Sequence, residues 1–122
     1  ITMATSVNLD ISQRLDITCR RGDTFTLTLN VTDSSGTAIA LTPYSFKMEV
    51  RNSSTNAIVI ADSNFVFTKD ADATAGKLNI VVTATNMIVP ADSYIYDLQT
   101  TLAADVQTWL FGVFTVNNDV TA

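Results

Sequence analysis

The chain has no histidine, a single cysteine, two prolines and four glycines among its 122 residues. Without histidine, the commonest general base of enzymes is missing, and no imidazole is present to activate a nucleophilic thiol. One cysteine cannot form an internal disulfide, so the core must hold without a covalent cross-link. We therefore predict a non-enzymatic protein without a cofactor, in which Cys19 is a small buried hydrophobe.

Basic residues are also few, because seven Lys and Arg stand against twelve Asp and Glu and give a net charge of −5. Binding to a nucleic-acid backbone needs a cluster of positively charged side chains, and binding to an anionic membrane surface needs the same. No apolar run approaches the roughly 20 residues that span a bilayer, and no basic segment followed by an apolar stretch marks a secretory leader. We expect neither a nucleic-acid nor a membrane partner.

What the chain does have is alternation of apolar and polar residues. Between Thr24 and Thr32 every second residue is apolar, from Phe25 to Val31, and the residues between them are Thr or Asn. A strand has a side-chain period of two, so one face of this segment is apolar and the other is polar. This pattern is typical of a strand in one layer of a two-layer β protein.

The same pattern recurs along the chain between turn signals about 8–12 residues apart, which is typical of a sandwich. We predict an all-β fold of seven to nine antiparallel strands, with one short strand at Ala38–Leu41. One helical turn is expected between Ala84 and Val89. Residues 14–122 are assigned to a single β-sandwich domain and residues 1–13 to an extended N-terminal arm.

The last predicted strand, from Val106 to Val116, is apolar on both faces. Such a strand is either covered by other elements or forms a contact surface. The arm alternates as well, so it could add to the edge of a sheet in its own molecule or in a neighbour. The candidate protein-contact residues are therefore Val7, Leu9, Ile11, Trp109, Phe111 and Val113. Trp109 is the strongest single anchor, since interface energy concentrates in large aromatic side chains.

Five segments in this order resemble a family of small bacteriophage virion modules, the immunoglobulin-like N-terminal domains of upper baseplate proteins and related tail or head-fibre proteins. They are Asp16–Phe25, Asp33–Gly36 with Ile39 and Leu41-Thr42, Tyr44–Arg51, Pro90–Gln99, and Gly112–Val116. The resemblance implies an immunoglobulin-like sandwich that serves as a structural part of a tailed-phage virion, assembled in the cytoplasm of the bacterial host. It also implies that the partners are other virion proteins and copies of the chain itself.

Two tyrosines and a tryptophan leave alternatives open. Tyr94 could form a tyrosine corner, with its ring buried and its hydroxyl bonded to upstream backbone, or it could be an ordinary half-buried tyrosine. If Trp109, Tyr44 and Tyr94 are exposed, they could stack on sugars, and the protein would then be a host-glycan-binding adhesion module.

The loop Asp70–Gly76 carries oxygen ligands at alternate positions, as calcium loops do. The glycine of such a loop should stand one place earlier and a bidentate acid should follow, but Ala75 and Val81 occupy those positions. We interpret the segment as a solvated loop and predict no metal site.

Overall fold

The computed structural model describes residues 2–9, 11–70, 72 and 75–118, which form a two-layer β-sandwich. Two 3₁₀ helices, Asp62–Asn64 and Ala84–Met87, interrupt the strands, and the second confirms the predicted helical turn. This part of the chain contains ten strands rather than seven to nine, because the segment beside the last strand is split in two and residues 2–8 add another. The strands are β1 (Thr2–Asn8), β2 (Gln13–Arg14), β3 (Ile17–Arg20), β4 (Phe25–Thr32), β5 (Tyr44–Arg51), β6 (Ile58–Ile60), β7 (Val66–Lys69), β8 (Lys77–Val82), β9 (Asp92–Leu102) and β10 (Asp105–Asn117).

The strand order confirms the immunoglobulin-like sandwich. The first sheet has the order β1-β4-β8-β7, and the second has the order β2-β10-β9-β5-β6, with β3 beside β10 further along the same edge. These orders correspond to the A-B-E-D and G-F-C-C′ sheets of immunoglobulin domains. The fold therefore presents one solvent-facing surface from β5, β9 and β10, and a second from β4 and β8.

The prediction of an entirely antiparallel sandwich is wrong at the edges of both sheets. β1 pairs with β4 in parallel, and β2 and β3 pair with β10 in parallel. The turn at Arg21–Gly22 carries the chain from β3 in the second sheet to β4 in the first, so β3 lies beside β10 and not beside β4.

The alternation in β4 becomes the centre of the core, as predicted. Phe25, Leu27, Leu29 and Val31 are buried, while the threonines between them face outward. Burying each such side chain contributes about 1.5–3 kcal/mol relative to leaving it in water. Cys19 is buried as well, its thiol donates to the carbonyl of Thr115 at 3.6 Å, and burial raises its pKa to about 11.

The segment predicted as an N-terminal arm is an integral strand of its own molecule over residues 2–8. β1 pairs along its whole length with β4, and Val7 stands opposite Val31 with its side chain fully buried. A boundary at residue 13 therefore cuts through the sandwich. Ile1 and Asp10 lie outside the described residues.

The predicted strand Ala38–Leu41 does not form. Only a single bridge between Thr32 and Ala38 is present, because the Asp33 carboxylate accepts bonds from the backbone amides of Ser35 and Thr37 and closes a local turn. Side-chain bonds of this kind compete with strand pairing.

Candidate functional site

The six residues predicted to contact partners do not share one surface. Val7 and Trp109 are fully buried, and Leu9 is half-buried against the core. Ile11 is 57% exposed beyond the end of β1. Phe111 and Val113 face solvent from the second sheet, with Phe111 39% exposed. The prediction that Val7 and Trp109 are available for contact is wrong, and only Phe111 and Val113 stand side by side on one exposed face.

Trp109 is buried because a β-bulge changes the parity of β10. Thr108 pairs with Gln99 and Leu110 pairs with Leu98, so Trp109 is an extra residue between two regular pairs. A bulge redirects the side chain at the inserted position. The indole ring lies 5.5 Å from the ring of Tyr44 and 5.8 Å from that of Phe46, centre to centre, with 0% of the residue exposed.

Tyr94 forms the tyrosine corner. Its ring is buried and its hydroxyl donates to the carbonyl of Pro90 at 2.5 Å, four residues upstream. Burial raises the pKa of this phenol. Because Trp109 and Tyr94 are buried and Tyr44 packs against Trp109, the three aromatic side chains named for sugar stacking do not form an exposed platform.

On the outer side of the second sheet, the side chains of paired residues on adjacent strands form rows across β10, β9 and β5. Phe111 stands opposite Asp97, which stands opposite Glu49, and in the next row Val113 stands opposite Ile95, which stands opposite Arg51. We refer to these six residues together with Lys47, Gln99 and Ile58 as the outer face. Ile95 is 41% exposed and Ile58, which pairs with Arg51, is 50% exposed.

A concave part of the outer face encloses about 440 Å³ between β5, β9 and β10. Its walls include Lys47, Glu49, Asp97 and Phe111. The apolar ring of Phe111 thus lies beside charges of both signs on one surface.

The charges of the outer face are incompletely paired within the described chain. The Arg51 guanidinium donates to Glu49 Oε1 and to the carbonyl of Asn56, both at 3.0 Å. Asp97 lies directly opposite Glu49, and the side chains of Asp97 and Lys47 form no hydrogen bond or ion pair with another described residue. Like charges directly opposite each other on a sheet are destabilising.

Asp97 carries the electrostatic consequence of that placement. Partial burial raises the pKa of its carboxyl and the neighbouring Glu49 raises it further, while Arg51 and Lys47 oppose the shift. The ionised carboxylate of Asp97 is therefore less stable here than in water. A cation brought close to it would stabilise the ionised form, since an opposite charge favours ionisation.

The edge strands β2 and β3 are fastened to β10 next to this face. Asp16 accepts a hydrogen bond from the Val113 amide at 3.0 Å and from Arg14 Nε at 3.2 Å, and the first of these bonds is the main reason that its pKa is lowered. From inside, the buried Tyr96 hydroxyl donates to the Leu15 carbonyl. These contacts hold the backbone of Val113 in place while its side chain remains outside.

Sequence alternation could have identified one missed member of the face. Ile95 is an apolar residue on the side of β9 that otherwise carries Ser93, Asp97 and Gln99. Its place beside Val113 depends on the pairing of two strands, which the alternation within either strand does not specify.

The described residues do not offer other chemistry. They contain no group of three or more Cys, Asp or Glu side chains arranged to hold a metal ion. In the loop considered for calcium, the Asp72 amide donates to the Asp70 carboxylate at 2.9 Å, while residues 71, 73 and 74 lie outside the described part. No helix in the described part is long and apolar enough to cross a bilayer.

No protein-family model matches this chain, and no curated protein sequence matches it. Among solved structures, the chain is similar to the NK cell receptor Nkp44, described as a triggering partner in natural cytotoxicity. The two share 14% identity over 88% of this chain and 99% of the receptor chain, with a TM-score of 0.46.

Proposed function

We propose that this chain is a non-enzymatic structural and assembly module of a tailed-bacteriophage virion, which docks other virion proteins and copies of itself through the outer face of its second sheet. The phage setting rests on the five ordered sequence segments that resemble baseplate and fibre modules. The docking face rests on the structure, in which those segments contribute β5, β9 and the end of β10.

The observation that carries the docking role is the row pairing of the outer face. Phe111, Val113 and Ile95 lie on adjacent strands in neighbouring rows, with Ile58 at the next strand beyond Arg51. All four remain solvent-facing although the core is complete without them. Contiguous apolar side chains rimmed by charges mark interaction sites more often than isolated exposed residues do.

The proposal is tested on purified virions of the phage that encodes the chain. Quantitative mass spectrometry should detect the protein at a fixed copy number per particle. Phe111→Asp should greatly reduce its incorporation, because it places a charge at the apolar centre of the face. The matched control is Val66→Asp, since Val66 is 52% exposed on β7 in the other sheet.

Folding of both variants is verified by circular dichroism before incorporation is scored. Absence of the wild-type chain from purified particles would refute the virion role. Equal loss of incorporation in both variants would refute the assignment of docking to the outer face.

A host-glycan-binding adhesion module is the second candidate function, and one observation favours it. Phe111 lies in the wall of the concave region beside Asp97 and Gln99, so an exposed ring and polar groups converge there. Titration with host-surface polysaccharide, followed by NMR, should then shift amide signals of these three residues. No shift at millimolar ligand would remove this candidate.

A further inference from the structure

We propose that two copies of this chain associate through their outer faces, with Lys47 of each copy paired with Asp97 of the other. This inference rests on the docking role proposed for that face and specifies its occupant as a second copy.

The apolar centre provides the area that association must remove from water. Ile95 and Phe111 are 41% and 39% exposed and occupy adjacent strands, with Val113 between them in the register. When this face packs against the same face of a second copy, both copies contribute these three side chains to the interface. Stable interfaces are built on such central apolar clusters with a polar rim.

The charge balance favours a second copy over a strongly charged partner. The whole chain carries −5, so two copies repel each other at most orientations. The outer face carries Lys47 and Arg51 against Glu49 and Asp97, and its formal charge is therefore zero. Approach through this face avoids the repulsion that the rest of the acidic surface would impose.

Two side chains of opposite sign remain available on the face. Arg51 is already bonded to Glu49, whereas the side chains of Lys47 and Asp97 form no hydrogen bond or ion pair with the described residues, although the charge of Lys47 already acts on Asp97. In an interface with two-fold symmetry, residue i of one copy meets residue j of the other and the reverse holds as well. A single complementary pair of residues on each copy therefore yields two ion pairs in the dimer.

The strand edges are the competing surface. β6 and β7 are three and four residues long, and β7 ends in Lys69, a charge that discourages edge pairing. β1 is longer and uncharged, so edge-to-edge pairing through β1 is the alternative that the experiment must separate.

The test is sedimentation equilibrium over a concentration series that extends into the millimolar range. The wild type should reach twice its chain mass of 13.2 kDa. Lys47→Asp and Asp97→Lys should each weaken association by about tenfold or more, because each creates two like-charge contacts in the dimer. An equimolar mixture of the two variants should restore association, since every pair across the mixed dimer is again of opposite sign.

Matched controls change the same charge elsewhere. Lys77→Asp on β8 and Asp105→Lys at the β9–β10 turn alter net charge equally, and they should leave association within about twofold of wild type. Thermal unfolding followed by circular dichroism confirms that every variant is folded.

Three results would overturn the inference: a wild type that stays monomeric, a dimer insensitive to both reversals, as pairing through β1 predicts, or a mixture that fails to associate. A monomer that still needs Phe111 for virion incorporation would leave the docking role intact. A dimer absent from virions would remove the virion role and leave the dimer.

Discussion

Replacing Trp109 with alanine separates a core role from a contact role. The indole is fully buried beside the rings of Tyr44 and Phe46, so truncation removes a large apolar group and leaves a cavity. Changes of Trp or Phe to Ala in cores cost about 3–5 kcal/mol. The two ring contacts place Trp109→Ala in the upper part of that range, because aromatic pairs contribute about 0.5–1.5 kcal/mol beyond burial.

The loss is large compared with the stability of such a domain, which is typically about 5–15 kcal/mol. A change of 1 kcal/mol shifts the Tm of a domain this size by about 3–6 °C, so a loss of about 4–5 kcal/mol in Trp109→Ala should lower Tm by about 12–30 °C. Urea unfolding followed by circular dichroism measures the free energy of unfolding, and an unchanged dependence on urea confirms that the same two states are compared.

The matched control is Phe111→Ala, two residues along the same strand on the outer face. It should cost about 1–2 kcal/mol, since much of this ring is already in water. A loss below about 1 kcal/mol for Trp109→Ala, or a larger loss for Phe111→Ala, would contradict the bulge that turns Trp109 inward. Normal stability with impaired association would instead restore Trp109 as a surface anchor.

Three further changes probe the edge, the thiol and the outer face. Gly112→Ala should lower the free energy of unfolding by about 1–3 kcal/mol, because a Cβ there would lie 2.5 Å from the Leu15 carbonyl oxygen; urea unfolding with no loss would contradict this packing. Burial raises the pKa of Cys19 from 9.0 to about 11, so the folded state keeps the proton more tightly than the unfolded state. The stabilisation that arises from this difference in pKa is complete below pH 9 and is lost as the pH rises through 11. Urea unfolding of Cys19→Ala at a series of pH values should therefore lack this loss of stability. Asp97→Asn should raise Tm at pH 7, because the pKa of Asp97 is raised by burial and by Glu49 and its ionised form disfavours folding. The same change should weaken association in sedimentation, and a lower Tm would contradict the electrostatic assignment.

The sequence determined the positions and faces of most strands. In β4, the alternation that begins at Phe25 needs no knowledge of neighbours, because strand geometry alone sends successive side chains to opposite sides. The turn at Gly22, with φ of +81°, also follows from local chemistry, because glycine adopts positive φ at little cost. The same holds for the corner at Tyr94, whose partner Pro90 is only four residues away.

The tertiary structure decided which residues meet across strands. Pairing joins residues far apart in the chain, such as Arg51 with Ile95 and Ile95 with Val113, so the outer face exists only in the assembled sheet. Trp109 shows the physical reason most clearly. Period two assigns a side chain to a face only while pairing is uninterrupted, and the bulge beside Leu110 inserts one residue, which moves Trp109 from the predicted surface into the core.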